Sequence, residues 1–140
     1  MTLLIDSGPV VALADAREPR RAQILHLLQS DPGALIIPAP AAAEIDYLLG
    51  QRFGPAARRA FLGDLAAGRF GIPCLERDDY AKVVELETRY ADHSLGLVDC
   101  SLIVLADKLR TTRLLTFDER HFRAVTTLSG QTLTLLPADA

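Results

Sequence analysis

Short apolar runs alternate along the chain with longer amphipathic stretches. Thr2–Asp6 (TLLID) is an apolar run closed by Ser7-Gly8-Pro9, and a run of that length stopped by turn residues predicts a buried strand. A helix follows, to about Ala16. In Glu18–Ser30 (EPRRAQILHLLQS) the spacing puts Ile24, Leu25, Leu27 and Leu28 on one face and Arg20, Arg21 and Gln23 on the other, the pattern of an amphipathic helix. Asp31-Pro32-Gly33 is a turn, and ALIIP after it is a second buried strand. Two helices come next, Pro40–Phe53 and Pro55–Gly68, ended by Gly54-Pro55 and Gly68. RFGIPCL at Arg69–Leu75 predicts a third strand, placed at an edge because Gly71 and Pro73 weaken it. Asp78–Asp92 predicts a helix, and Leu97–Leu109 another that is apolar almost all round. RLLTF at 113–117 and QTLTLLP at 131–137 complete a set of about five strands.

Strands separated by helices mean βαβ units, a parallel sheet and right-handed crossovers. At 140 residues, with no internal repeat or low-complexity linker, the chain reads as a single α/β domain over 1–140, with helices on both faces of the sheet and a short tail.

Composition narrows the chemistry. The formal net charge of −3 gives no general attraction to nucleic acid or anionic membranes, so any polyanion must meet a local patch. The apolar start lacks a basic segment and is interrupted by Asp6, no run reaches membrane-spanning length, and a cytoplasmic protein without a membrane partner is expected. Cys74 and Cys100 stand in apolar contexts without CxxC or Cys/His zinc spacing, which predicts two buried free thiols. GxxxxGK[ST] and GxGxxG are absent. A second Asp two residues after Asp6, which a HAD-type phosphatase wants, is missing, as is the late Lys of a response-regulator receiver.

The informative residues are acids. In open parallel sheets ligands bind outside the carboxyl ends of the strands. Asp6 ends the first strand, Glu44 lies early in the helix after the second, Asp99 opens the apolar helix, and Asp118 directly follows RLLTF. Asp99 shares a stripe with Leu102, Ile103 and Ala106, and no cation in its own helix is well placed, since Lys108 is at the far end. Taken singly, each acid has a structural explanation: Asp6, Asp99 and Asp118 as N-caps, Glu44 as a complement to a helix dipole. Four converging on one edge would repel and raise one another's pKa, and a hard divalent cation is the simplest compensation. Mg²⁺ held by carboxylates with open water positions suits metal-dependent phosphoryl chemistry, with Mn²⁺ as a substitute.

These pieces also resemble a known family. LLIDSGPVVAL, AAAEIDYLL, LGLVDCSLIVLADKL and LLTFDERHF stand in the order and at the spacing of PIN-domain ribonucleases of the VapC type, the toxins of bacterial VapBC toxin–antitoxin pairs, and the resemblance spans nearly the whole chain. It implies a parallel sheet of about five strands flanked by helices, a homodimer, and an endoribonuclease that cuts structured RNA, a tRNA or a ribosomal RNA loop, with Mg²⁺ or Mn²⁺. Carried over, Asp6 and Asp99 are the principal metal ligands, Glu44 binds metal or positions its water, and Asp118 completes the site or holds a second ion. Ser7 and Thr116 match small-hydroxyl supporting positions. The implied partner is a VapB-type antitoxin whose C-terminal segment covers the groove, in a heterotetramer or larger assembly.

Arg110, Arg113 and Arg120 are the candidate RNA contacts, being near the acids in sequence. Asp46 and Asp92 are acidic neighbours expected in solvent, and His93 and His121 carry no assigned role. The alternative to an enzyme is a PIN-like scaffold that binds RNA or protein without cutting. The presence of all four acids favours catalysis.

Overall fold

A computed structural model describes residues 1–140. Its sheet has four parallel strands, β1 (Leu3–Ile5), β2 (Leu35–Ile36), β3 (Arg113–Leu115) and β4 (Thr134–Leu136), in the order β2-β1-β3-β4. Seven α-helices cover it: α1 (Ser7–Ala12), α2 (Arg21–Ser30), α3 (Ala39–Phe53), α4 (Pro55–Ala66), α5 (Arg77–Arg89), α6 (Leu97–Lys108) and α7 (Glu119–Arg123). No helix is long and apolar enough to cross a membrane.

Successive strand residues point to opposite faces, and both faces are packed. Leu4, Leu114 and Leu135 face a core shared with Leu86 of α5 and the buried run of α6. Leu3, Ile5, Leu115 and Leu136 face a second core with Val10 of α1, Ile24 of α2, Ile45 of α3 and Phe61 of α4. Each leucine fully removed from water contributes about 2 kcal/mol. The apolar character of α6 all round has the same cause. Cys100 through Ala106 are all buried, and even Ser101 satisfies its hydroxyl within the helix, donating to the Leu97 carbonyl at 2.6 Å.

The expected third strand does not form. Gly71 makes an isolated parallel bridge with Ile36, accepting from the Ile37 amide at 2.9 Å and donating to the Leu35 carbonyl at 2.8 Å. Pro73 has no N–H with which to continue the ladder. A Cβ on Gly71 would lie 2.6 Å from Ile36 Cδ1, so a larger residue here would have to turn the end of the Ile36 side chain aside. The sheet therefore has four strands rather than about five. Of the two thiols, Cys100 is buried as expected, but Cys74 is exposed in the segment that fails to pair.

Strand direction sets the geography of the molecule. All four strands run parallel, so Asp6 and Thr116–Asp118 emerge at one edge while Met1 and Arg110–Arg113 lie at the other. α6 puts Asp99 in its first turn and Lys108 in its last, about 14 Å apart along the axis.

Candidate active site at the carboxyl edge of the sheet

Asp6 follows β1 and caps α1. Its Oδ1 accepts from the Ser7 amide at 2.8 Å and its Oδ2 from the Thr116 hydroxyl at 2.7 Å. Thr116 is itself buried and accepts from the Asp118 amide at 3.0 Å. One hydroxyl therefore ties the end of β1 to the turn that carries Asp118. Ser7 is the first residue of α1 and not its cap; its hydroxyl donates to Glu44 Oε2, linking α1 to α3. Thr116 and Ser7 thus contact Asp6 and Glu44.

Asp118 caps α7, accepting from the His121 amide at 3.0 Å through Oδ1. One turn further on, the His121 ring returns to the same carboxylate. Nδ1 stands 2.9 Å from Asp118 Oδ2 and 3.4 Å from Asp99 Oδ2. Ligand atoms of Asp99, Asp118 and His121 all lie within 4.8 Å of one another. The sequence assigns His121 no role by itself, yet its i, i+3 spacing from a capping Asp118 is a signal, because residues three apart share a helix face.

Electrostatics mark the same residues. Burial pushes the Asp6 carboxyl up, against the opposing hydrogen bonds from Thr116 and the Ser7 amide, and the charges of Glu44 and Asp118 push the same way as burial. Asp99 is raised to about 6, first by burial and then by the charges of Asp6 and Asp118; His121 opposes the rise. Asp99 is not an N-cap, since Gly96 occupies that position. Apart from the His121 ring, no basic side chain lies within ion-pair distance of its carboxylate. Lys108 is committed elsewhere, at 2.9 Å from Asp79.

The donor set fits a divalent cation. Carboxylate oxygens of Asp99 and Asp118 converge with the His121 Nδ1 atom, which is sealed from solvent without a hydrogen-bond partner, while Asp6 and Glu44 stand outside this group of three. Both features favour an ion over an empty acidic cluster.

Other expected residues lie elsewhere. Arg110 and Arg113 are not beside the acids. Arg110 precedes β3 and Arg113 opens it, at the opposite edge, and Arg113 is bound through its guanidinium to the nearly inaccessible Asp31 carboxylate. Adjacency in sequence misleads here because a strand separates Arg113 from Asp118. Arg120 is exposed on α7, next to His121. Asp46 pairs with Arg58 at 2.9 Å across α3 and α4, and Asp92 is exposed. The guanidinium of Arg20, paired with Glu18, lies 3.4 Å from the centroid of the Phe117 ring.

Comparison with known proteins agrees with this geometry. The PIN domain family model matches residues 3–128. The chain is 33% identical over 135 residues to Ribonuclease VapC26 of Mycobacterium tuberculosis, covering 96% of this chain and all of that protein. Mycobacterium tuberculosis VapC20, described as a sarcin-ricin loop cleaving toxin, superposes with a TM-score of 0.78 at 19% identity, over 89% of this chain and 95% of that one. VapBC2 from Rickettsia felis, solved bound to a DNA fragment from its promoter, gives 0.70 at 18% identity over 96% and 98%. A β2-β1-β3-β4 parallel sheet with its acids at the carboxyl edge, matched over nearly its full length, belongs to the PIN-domain family, in its VapC branch.

Proposed function

We propose that this chain is a metal-dependent endoribonuclease toxin that cleaves structured cellular RNA, a tRNA or ribosomal RNA loop, and is restrained by a VapB-type antitoxin. The observation that carries the reading is Asp99. It is a carboxylate at the mouth of a buried helix, raised to about 6 by burial and by the charges of Asp6 and Asp118, whereas the Asp31 and Asp79 carboxylates away from this edge are each paired with a cation. The curated relative is named a ribonuclease, and one of the solved structures of this fold is described as a sarcin-ricin loop cleaving toxin.

In this reading Asp6, Asp99 and Asp118 hold the cation, Mg²⁺ or Mn²⁺, and Glu44 holds it or orients a water beside it. When bound, the ion supplies a water of lowered pKa and neutralises charge developing on the phosphodiester. The chain's own residues set the frame. Thr116 fixes the rotamer of Asp6, Ser7 fixes Glu44, and the start of α7 fixes Asp118. The products carry a 5′-phosphate and a 3′-hydroxyl; a cyclic phosphate would signal attack by the RNA's own 2′-hydroxyl. The structure of a VapBC pair among the relatives supports an antitoxin partner here. We place the active form as a homodimer, assembled with antitoxin into a heterotetramer or larger complex.

The test is incubation of the protein and its Asp99→Asn form with total bacterial RNA, with Mg²⁺ or Mn²⁺ and with EDTA, followed by mapping of new 5′ ends. Discrete cuts that need metal and Asp99 are expected. Identical backgrounds in every condition would overturn the enzyme reading in favour of a scaffold.

A further inference from the structure

The imidazole of His121 is placed where a ligand would be. Its Nδ1 atom is 2.9 Å from one oxygen of Asp118 and 3.4 Å from one of Asp99, closed to solvent, yet makes no hydrogen bond to either. Distance is thus satisfied and direction is not. Because hydrogen bonds weaken steeply off-line, neither carboxylate engages the ring nitrogen well. A buried ring nitrogen with nothing to bond to costs free energy unless something else occupies its lone pair.

A cation fits. Metal bonds of roughly 2.1 Å put neighbouring ligands about 3 to 4 Å apart, the range of these contacts. The ring is also held on two sides. Asp118 Oδ1 takes the His121 backbone amide, which anchors the start of α7, and Phe122, the next residue, is buried in the core. The three groups come from two elements, α6 for Asp99 and the α7 turn for Asp118 and His121, so folding presets the cluster.

We infer that His121 is a nitrogen ligand in the cation site and biases that site toward Mn²⁺ over Mg²⁺. This rests on the cation-binding reading of the acids. Mg²⁺ is hard and takes oxygen; imidazole suits later, more polarisable first-row ions, and Mn²⁺ accepts both donor types. An all-carboxylate site discriminates less between the two ions than a site that adds one imidazole.

The experiment is pulsed EPR of Mn²⁺ bound to the intact protein, prepared unlabelled and with ¹⁵N-histidine. It is paired with titration of Mg²⁺ against bound Mn²⁺. The expected result is ¹⁴N echo modulation that changes to the ¹⁵N pattern on labelling and is absent in His121→Ala. The Mg²⁺ concentration needed to displace Mn²⁺ should fall about tenfold in that variant. His26→Ala and His93→Ala should leave both readouts unchanged, assigning the signal among the three histidines. Mn²⁺ that binds in an Asp99-dependent manner without histidine nitrogen modulation would overturn the inference and leave the acidic site standing. Mn²⁺ binding that Asp99→Asn does not weaken would overturn both.

Discussion

The two edges of the sheet treat buried acids in opposite ways. At the amino edge, Asp31 is almost inaccessible and bound by Arg113, and Asp79 at the start of α5 is bound by Lys108; hydrogen bonds from those cations and from nearby backbone amides hold both carboxyls below their ordinary values. At the carboxyl edge, Asp6 and Asp99 are buried beside other acids and held above theirs. The same residue type is structural in one place and costly in the other. What differs is whether the chain supplies a cation. At the carboxyl edge it supplies hydroxyls, amides and one imidazole, which orient carboxylates without neutralising them. That combination is the signature of a site that keeps free energy in reserve for a bound ion.

The comparison can be broken from either side. The largest effect on stability is expected from Arg113→Ala, which strands the Asp31 carboxylate. Loss of about 2 kcal/mol is predicted by chemical denaturation, below the 3 to 5 kcal/mol of fully buried pairs because Arg113 keeps part of its side chain in solvent. Cleavage per folded molecule should not change. Thr116→Val removes the hydroxyl that holds both Asp6 and the Asp118 turn. Metal affinity by calorimetry should fall at least tenfold, the order seen when groups that orient ligands are lost, with only a small change in folding.

A pH series sharpens the contrast further. Asp99 has a folded pKa of about 6 against an ordinary 3.8. Between those values the folded chain binds more protons than the unfolded one, so metal-free stability should fall as pH rises through that window. Asp99→Asn should flatten the slope and stabilise the metal-free protein at pH 7 by about 1 kcal/mol, while removing cleavage. Metal binding should show the mirror trend and weaken below pH 6, where ion and proton compete for Asp99. The smallest effect is expected from Lys108→Met, a partly exposed partner of Asp79. It should lower the melting midpoint slightly and leave metal affinity untouched.

Much of this arrangement was legible in the sequence, for physical reasons that differ by residue. Leu97–Lys108 declared itself a buried helix because it is apolar on every side, and Asp99 stood out against that background. Asp6 and Asp118 could be placed at strand ends because apolar runs stop at them. What escaped depended on close contacts that patterns do not encode. Gly71 and Pro73 reduce an apolar run to a single bridge. The short α7 has too few residues for a periodic signal, so His121 was passed over. Arg113 looked near the acids although β3 separates it from them, and Arg20, distant in sequence, is the arginine that reaches Phe117.

The central claim is that the carboxyl edge is built for a cation that the chain itself does not provide. Calorimetric titration of Mg²⁺ and Mn²⁺ into the metal-free protein and its Asp99→Asn form at pH 7 tests it most directly. Saturable binding that releases protons in the first and is lost in the second is the predicted result. Equal heats for both proteins, with no saturable site, would contradict it.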